Sequence, residues 1–199
     1  MTDPQKHKSA MVRQKAKVDA ATAAANTARG VCVLLTGNGK GKSSSAFGMV
    51  MRALGYDHRV AVVQFIKGQI KSGEELYLQQ QHPEVFFYQM GTGFTWDTQD
   101  RDADTIAAQA TWREAQNCLQ DPAIDLVVLD EITYMLAFGY LEVAEILAAI
   151  GNRPPAQSVV LTGRGGGRAL RAIADTVAEI KDVKHAFTAG ISARKGVDY

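Results

Sequence analysis

Only two cysteines occur in 199 residues, Cys32 inside an apolar run and Cys118 in a helical stretch, and their separation fits neither a metal site nor a redox pair. Disulfide scaffolds and cysteine-rich zinc domains are thereby excluded, both thiols read as small buried or half-buried residues, and a reducing cytosol is the expected setting. No stretch comes near the roughly 18 consecutive apolar residues of a membrane helix, and the polar N-terminus has no apolar signal region. A soluble, cytoplasmic protein with no membrane partner is expected. Net charge is almost absent too. The chain has 22 Lys and Arg against 21 Asp and Glu, +1 overall, so no surface organised around a nucleic-acid backbone is expected, and any bound anion must be held locally. The four histidines, His7, His58, His82 and His185, show no metal-ligand spacing.

What is present fits one domain with a core that needs neither metal nor disulfide. Residues 1–29 differ in composition, with Lys6, Lys8, Arg13, Lys15, Lys17 and Arg29 against Asp3 and Asp19 around an alanine-rich run. Such a segment has high helix propensity but almost no apolar face to dock. It reads either as a frayed N-terminal arm or as a mobile lid, with the folded domain occupying residues 30–199.

Beyond the arm, short apolar runs alternate with amphipathic stretches. Strands are expected at Val31–Leu35, Val60–Ile66, Val85–Met90, Leu126–Leu129 and Val159–Thr162, with a weaker run at Val177–Ile180, most of them buried on both faces. Helices are expected at Ser44–Leu54, Asp102–Leu119, Leu141–Ile150 and Arg168–Ala174. The repeated β-α order predicts an α/β fold, a mostly parallel sheet flanked by helices and joined by right-handed crossovers. In such a sheet, ligands sit beyond the carboxyl ends of the strands, and all five main strands end in polar, charged or glycine-rich residues.

The first of these ends carries the strongest signal. Thr36-Gly37-Asn38-Gly39-Lys40-Gly41-Lys42-Ser43-Ser44 joins the first strand to the first domain helix. Glycines there let successive backbone N–H groups converge on an anion, the helix directs its positive end to the same point, and Lys42 with a hydroxyl completes a phosphate cradle. The usual pattern wants glycine at position 36, where this chain has Thr36, with Gly37 one residue late.

Leu126-Val127-Val128-Leu129 closes on Asp130 and Glu131. Alone, an acid pair at a strand end also reads as a helix cap. Downstream of a P-loop it reads as a magnesium site, and because magnesium keeps several waters, Ser43 and Glu131 with Asp130 nearby form a sufficient set. Lys67 and Arg164 end the second and fifth strands and read either as phosphate counter-charges or as ordinary surface cations. Phe94 and Trp96, two residues apart among glycines and polar residues, share one face of an extended segment. They read as core or as the contact surface for a flat ligand or partner, and the loop composition favours the second.

Together these motifs, with Gln64-Phe65-Ile66-Lys67-Gly68, Thr92-Gly93-Phe94-Thr95-Trp96, Thr162-Gly163-Arg164-Gly165, Lys184-His185-Ala186-Phe187 and Asp198-Tyr199, resemble the corrinoid adenosyltransferases over essentially the whole chain. The family's Thr-Gly-Asn-Gly-Lys-Gly-Lys form accounts for the displaced glycine, although Ser43-Ser44 stands where the family more usually has two threonines. The resemblance implies a P-loop, RecA-like fold and an enzyme that transfers the 5′-deoxyadenosyl group of ATP to the cobalt(I) of a corrinoid, releasing triphosphate, in adenosylcobalamin biosynthesis or salvage. It implies ATP held in reversed orientation by Thr36 to Ser44, charge stabilisation by Lys42, and magnesium, or manganese in its place, on Ser43 and Glu131 with Asp130. It further implies that Phe94 and Trp96 displace the lower cobalt ligand, that a reduced flavoprotein or similar donor supplies electrons, and that the chain is a homodimer whose arm covers the corrinoid. Two rivals remain at this point: a nucleotide-hydrolysing motor or switch in which Glu131 activates water, and a non-catalytic corrinoid- or nucleic-acid-binding module.

Overall fold

The computed structural model describes residues 3–66, 71–91, 100–165 and 167–199. Six strands form one sheet: β1 (Cys32–Thr36), β2 (Val60–Gln64), β3 (Phe86–Gln89), β4 (Leu126–Asp130), β5 (Ser158–Thr162) and β6 (Thr176–Glu179). Their order is β3-β2-β4-β5-β1-β6, and every neighbouring pair is parallel. The strand that leads into the glycine loop and the strand that carries the acids are therefore separated by one intervening strand, β5.

Among the described residues the α-helices are α1 (Pro4–Ala24), α2 (Lys42–Leu54), α3 (Gly73–Gln81), α4 (Arg101–Gln120), α5 (Ile132–Ala137), α6 (Val143–Gly151) and α7 (Arg168–Ile173). Alternation along the strands sends side chains to two cores. Ala61, Val63, Val127, Leu129, Val159, Leu161, Cys32 and Leu34 face the first, which is filled by Trp112, Ala115 and Leu119 of α4, Ile146 and Ile150 of α6 and Leu170 of α7. Val60, Val62, Leu126, Val128, Val160 and Leu35 face the second, covered by Ala46, Phe47 and Val50 of α2 and Leu78 of α3. Both cysteines are buried and free.

The four inner strands are buried on both faces as expected, apart from partly exposed Val33 and Ser158. The outer two are not: all four residues of β6 are exposed and β3 is only partly covered, because each is a sheet edge. Two helices were not expected. In α3, Ser72 accepts a hydrogen bond from the Glu75 N–H, and only Glu75 and Leu78 are buried. The short α5 follows Glu131, which takes a left-handed conformation at φ 61°. The expected arm is a helix, α1, capped by the Asp3 side chain, with no buried residue. None of the helices among the described residues is long and apolar enough to cross a membrane.

Candidate active site

The glycine loop takes its shape from a distant segment. Ile180 donates its N–H to the Thr36 carbonyl at 2.8 Å, and Gly39 donates to the Ile180 carbonyl at 2.8 Å. This fastening explains the displaced glycine. Gly37 lies at φ 99°, and a Cβ there would sit 2.4 Å from the Ile180 carbonyl oxygen, whereas Thr36 still belongs to the strand and is buried. A Cβ on Gly39 would likewise meet the Lys181 carbonyl oxygen at 2.6 Å. Gly41, at φ 118° with open space around it, turns the chain into α2.

The first turn of α2 then presents Lys42, Ser43 and Ser44. Lys42 is buried and its Nζ donates to the Gly39 carbonyl at 2.9 Å, so the cation folds back over its own loop. Burial lowers its pKa; Arg164 adds to that effect, while the Glu131 and Asp130 carboxylates oppose it. A polyanion arriving in the loop would favour the charged ammonium. Lys40 pairs instead with Asp198 at 2.9 Å.

At the end of β4, Asp130 is buried and takes three donors. Its Oδ1 accepts from Ser43 Oγ at 2.9 Å and from Thr162 Oγ1 at 2.6 Å, and its Oδ2 accepts from Gln64 Nε2 at 2.9 Å. The Thr162 oxygen also accepts from the Glu131 N–H at 2.9 Å, so one hydroxyl ties both acids to β5. Next to it, Gly163 lies at φ 140°, and a Cβ there would meet Thr133 Oγ1 at 2.0 Å and Glu131 Oε2 at 3.1 Å. Thr133 Oγ1 donates to the Arg164 carbonyl at 3.0 Å, which pins the start of α5 to the end of β5. Burial, reinforced by Glu131, raises the pKa of Tyr134.

These elements surround a cleft of about 870 Å³. Gly39 to Ser44, Glu131 and Arg164 line it, together with Phe47, Val50 and Met51 of α2 and Gly73, Glu74 and Tyr77 of α3. His185 and Gly196 to Tyr199 also line it. The structure thus brings Gly39, Lys40, Gly41, Lys42, Ser43, Ser44, Glu131 and Arg164 to one cavity. Thr36, Gly37 and Asn38 form the loop's approach from β1, and Asp130 sits beneath Ser43 and is absent from the lining. Lys67, Phe94 and Trp96 lie outside the described residues.

Among the described residues, no group of three His, Cys, Asp or Glu could hold a metal by itself. A hard cation needs less from the chain, and Ser43 Oγ with the Glu131 carboxylate supplies oxygen donors at the cleft. Asp130, the third residue expected there, sits behind Ser43 and accepts from Ser43, Thr162 and Gln64, so it is placed to aim the Ser43 hydroxyl.

Sequence reading gave no separate role to Gln64, Thr162, Thr133, Asp198 or Tyr199. Each stands at a strand end or in a motif already singled out, but the partner that gives it meaning is 32 or more residues away in most cases: 32 for Thr162 and Asp130, 66 for Gln64 and Asp130.

Comparison with known proteins agrees with this geometry. The family described as ATP:corrinoid adenosyltransferase BtuR/CobO/CobP matches residues 28–199. A corrinoid adenosyltransferase of Pseudomonas aeruginosa is 52% identical over 195 residues, covering 98% of this chain and 96% of the relative. One from Escherichia coli K12 is 49% identical over 94% of each chain, and the corrinoid adenosyltransferase CobA of Salmonella typhimurium is 49% identical over 93% of each. Among solved structures, the flagellar accessory protein FlaH of Methanocaldococcus jannaschii aligns with 76% of this chain and 71% of its own at 10% identity, with a TM-score of 0.49, too loose a likeness to inform the site.

Proposed function

Because the chain belongs to the ATP:corrinoid adenosyltransferases, and so adenosylates a corrinoid at the expense of ATP, we propose that the cleft at Gly39–Ser44 holds the triphosphate as a leaving group. The reaction is alkyl transfer. The electron pair of a cobalt(I) corrinoid attacks the 5′ carbon of ATP, the carbon–oxygen bond to the α-phosphate breaks, and triphosphate departs with that bond's electrons. Cobalt is formally oxidised by two electrons as the cobalt–carbon bond forms.

Charge must be gathered where the triphosphate leaves, and a preformed set of donors does this without reorganising during the reaction. The loop amides, the N-terminal turn of α2 and Lys42 make up that set, Arg164 adds a cation from the end of β5, and Lys67, which follows β2 in the sequence, is taken as a second. A magnesium ion bound there would contribute further positive charge against the departing oxygen. Ser43 and Glu131 would hold it, with Asp130 orienting Ser43 through the 2.9 Å hydrogen bond. This reading also takes ATP in the reversed sense, so that the α-phosphate end lies toward the corrinoid.

The remaining roles extend the same reading. Phe94 and Trp96 displace the lower axial ligand and leave cobalt in an apolar setting that favours its reduced state. A reduced flavoprotein or similar donor supplies the electrons, and the need to keep cobalt reduced supports a reducing, cytoplasmic setting. The arm of residues 1–29, whose helix α1 buries none of its own residues, covers the corrinoid of a homodimer, outside the domain of residues 30–199.

The observation that carries the proposal is the convergence of the glycine loop, Lys42, Glu131 and Arg164 on one cleft. Incubation with ATP, magnesium and a chemically reduced corrinoid is expected to release triphosphate in step with a light-sensitive alkylcobalt product. Release of orthophosphate independent of corrinoid would overturn it.

A further inference from the structure

Gln64 ends β2 with its side chain fully buried, opposite Asp130 of β4 and Gln89 of β3. The orientation of its amide is fixed by chemistry. Nε2 donates to Asp130 Oδ2 at 2.9 Å, and the flipped amide would set a carbonyl oxygen against a carboxylate. The carbonyl oxygen Oε1 is therefore turned away from Asp130, and among the described residues it is buried without a hydrogen-bond partner. A buried acceptor left empty at a site needs an explanation, because desolvating it costs free energy unless a donor arrives.

Its position says which donor. Asp130 divides the strand ends: Oδ1 faces Ser43 and Thr162 on the side of the phosphate loop, and Oδ2 faces Gln64 on the side of β2. Gln64 does not itself line the cleft, but its Nε2 holds Asp130, whose Oδ1 accepts from Ser43 of the lining, so Gln64 stands one hydrogen-bonded side chain behind the cleft wall at the end of β2.

We propose that Gln64 is a two-handed positioning residue: through Nε2 it orients the acid that aims Ser43, and through Oε1 it accepts a hydrogen bond from an O–H group brought in with the nucleotide. That O–H is either a water on the divalent cation or a hydroxyl of the ribose. The inference rests on the proposed seat of the triphosphate in the cleft. It makes Gln64 the point at which occupancy of the cleft is transmitted to Asp130, since both contacts run through one rigid amide.

Binding calorimetry on the full chain tests it with three probes: tripolyphosphate with magnesium, tripolyphosphate in chelator, and ATP with magnesium. Gln64→Met keeps the volume and removes both polar atoms. We expect it to weaken binding on the order of three- to tenfold, the worth of one hydrogen bond. A loss with ATP alone assigns the donor to the ribose and supports the proposal; a loss with both ligands in magnesium and none in chelator supports a cation-bound water if the magnesium–ATP crystal structure places a water oxygen within roughly 3 Å of Oε1, and overturns the contact if Oε1 is empty there, the loss then running through Asp130 alone. An equal loss with all three probes, or no loss, overturns it. Gln157 provides the control. It too is buried with an unpartnered Oε1, but at the opposite end of the sheet, so Gln157→Met should lower thermal stability and leave all three affinities unchanged. If wild-type protein binds none of the probes, the seat of the triphosphate fails, and the role of Gln64 with it. Should Gln64→Met not fold, a crystal structure of the wild-type chain with magnesium and ATP decides: a ligand or water oxygen within roughly 3 Å of Oε1 is required, and an Oε1 still empty or capped by the chain's own backbone refutes the proposal.

Discussion

Two buried glutamines stand at opposite ends of this sheet, and they are used differently. At the amino end, Gln157 directs one amide nitrogen at the carbonyls of Cys118, Asp121 and Ile124, each at 3.1 Å. Arg153 donates to the Gln157 and Ile150 carbonyls, and Arg29 pairs with Asp175, whose carboxylate also accepts from the Cys32 N–H. The polar side chains there are committed mainly to backbone or to one another, and they tie the C-terminal end of α4 and the loop before β1 to the strands. At the carboxyl end, Gln64, Asp130, Thr162 and Ser43 bond largely to other side chains around a cleft, and Lys42, which lines it, donates to a carbonyl of its own loop. A polar group committed to backbone holds the fold, whereas one committed to another side chain beside a cavity can change partner when a ligand arrives.

That contrast predicts a hierarchy of effects. Lys42→Ala should have the largest, cutting the rate of adenosyl transfer by about a thousandfold or more, as loss of a preorganised donor to a developing anion does, while barely changing the melting temperature. A large fall in melting temperature would instead make Lys42 a structural residue. Thr162→Val comes next. It removes the hydroxyl that donates to Asp130 and accepts from the Glu131 N–H, and kcat/KM should fall roughly ten- to a hundredfold, with Thr162→Ser restoring most of it. Failure of the serine variant to rescue would show that shape rather than the hydrogen bonds matters.

At the other end of the sheet, Asp175→Asn should leave transfer unchanged and cost about 1 kcal/mol, or roughly 2–4 °C in melting temperature. The Asp175 carboxyl is held well below its usual pKa by Arg29 first and the Cys32 N–H second. A depressed folded pKa adds stability that is fully present above the unfolded value of about 3.9 and is lost as pH falls below it. Melting curves of the wild type and the variant should therefore converge below about pH 4; a constant gap down to pH 2 would contradict the assignment. The smallest effect concerns Cys118, whose thiol is pushed up to about 11 by burial, with help from Glu114 and Asp121. At pH 8 only about one thiol in a thousand would be ionised, so alkylation of the folded protein should be negligible. Rapid labelling would mean that α4 opens readily.

Much of this was legible in the sequence because it is local. The apolar runs of β1, β2, β4 and β5 stand out since both faces of each are covered, and the phosphate loop is one contiguous stretch. Other parts depend on where the chain returns to itself. Nothing near Thr36 says that Ile180 will occupy the space a side chain at position 37 would need, nor that Asp198 will pair with Lys40. The helix α3 was missed because its sequence buries only Glu75 and Leu78, too thin a stripe to show a period. At six residues, α5 is shorter than two turns and gives no period at all.

The strand order has a consequence for how the chain is made. β1, which is synthesised first, pairs only with β5 and β6, the last two strands to leave the ribosome. Domains generally fold from the N-terminus during synthesis, but here β2, β3 and β4 can assemble while β1 waits on a long open loop. The phosphate cradle is complete only when Ile180 has emerged to bond Thr36 and Gly39. The fastened cradle is thus assembled late, after β6, so nucleotide bound there favours the finished fold over its early stages.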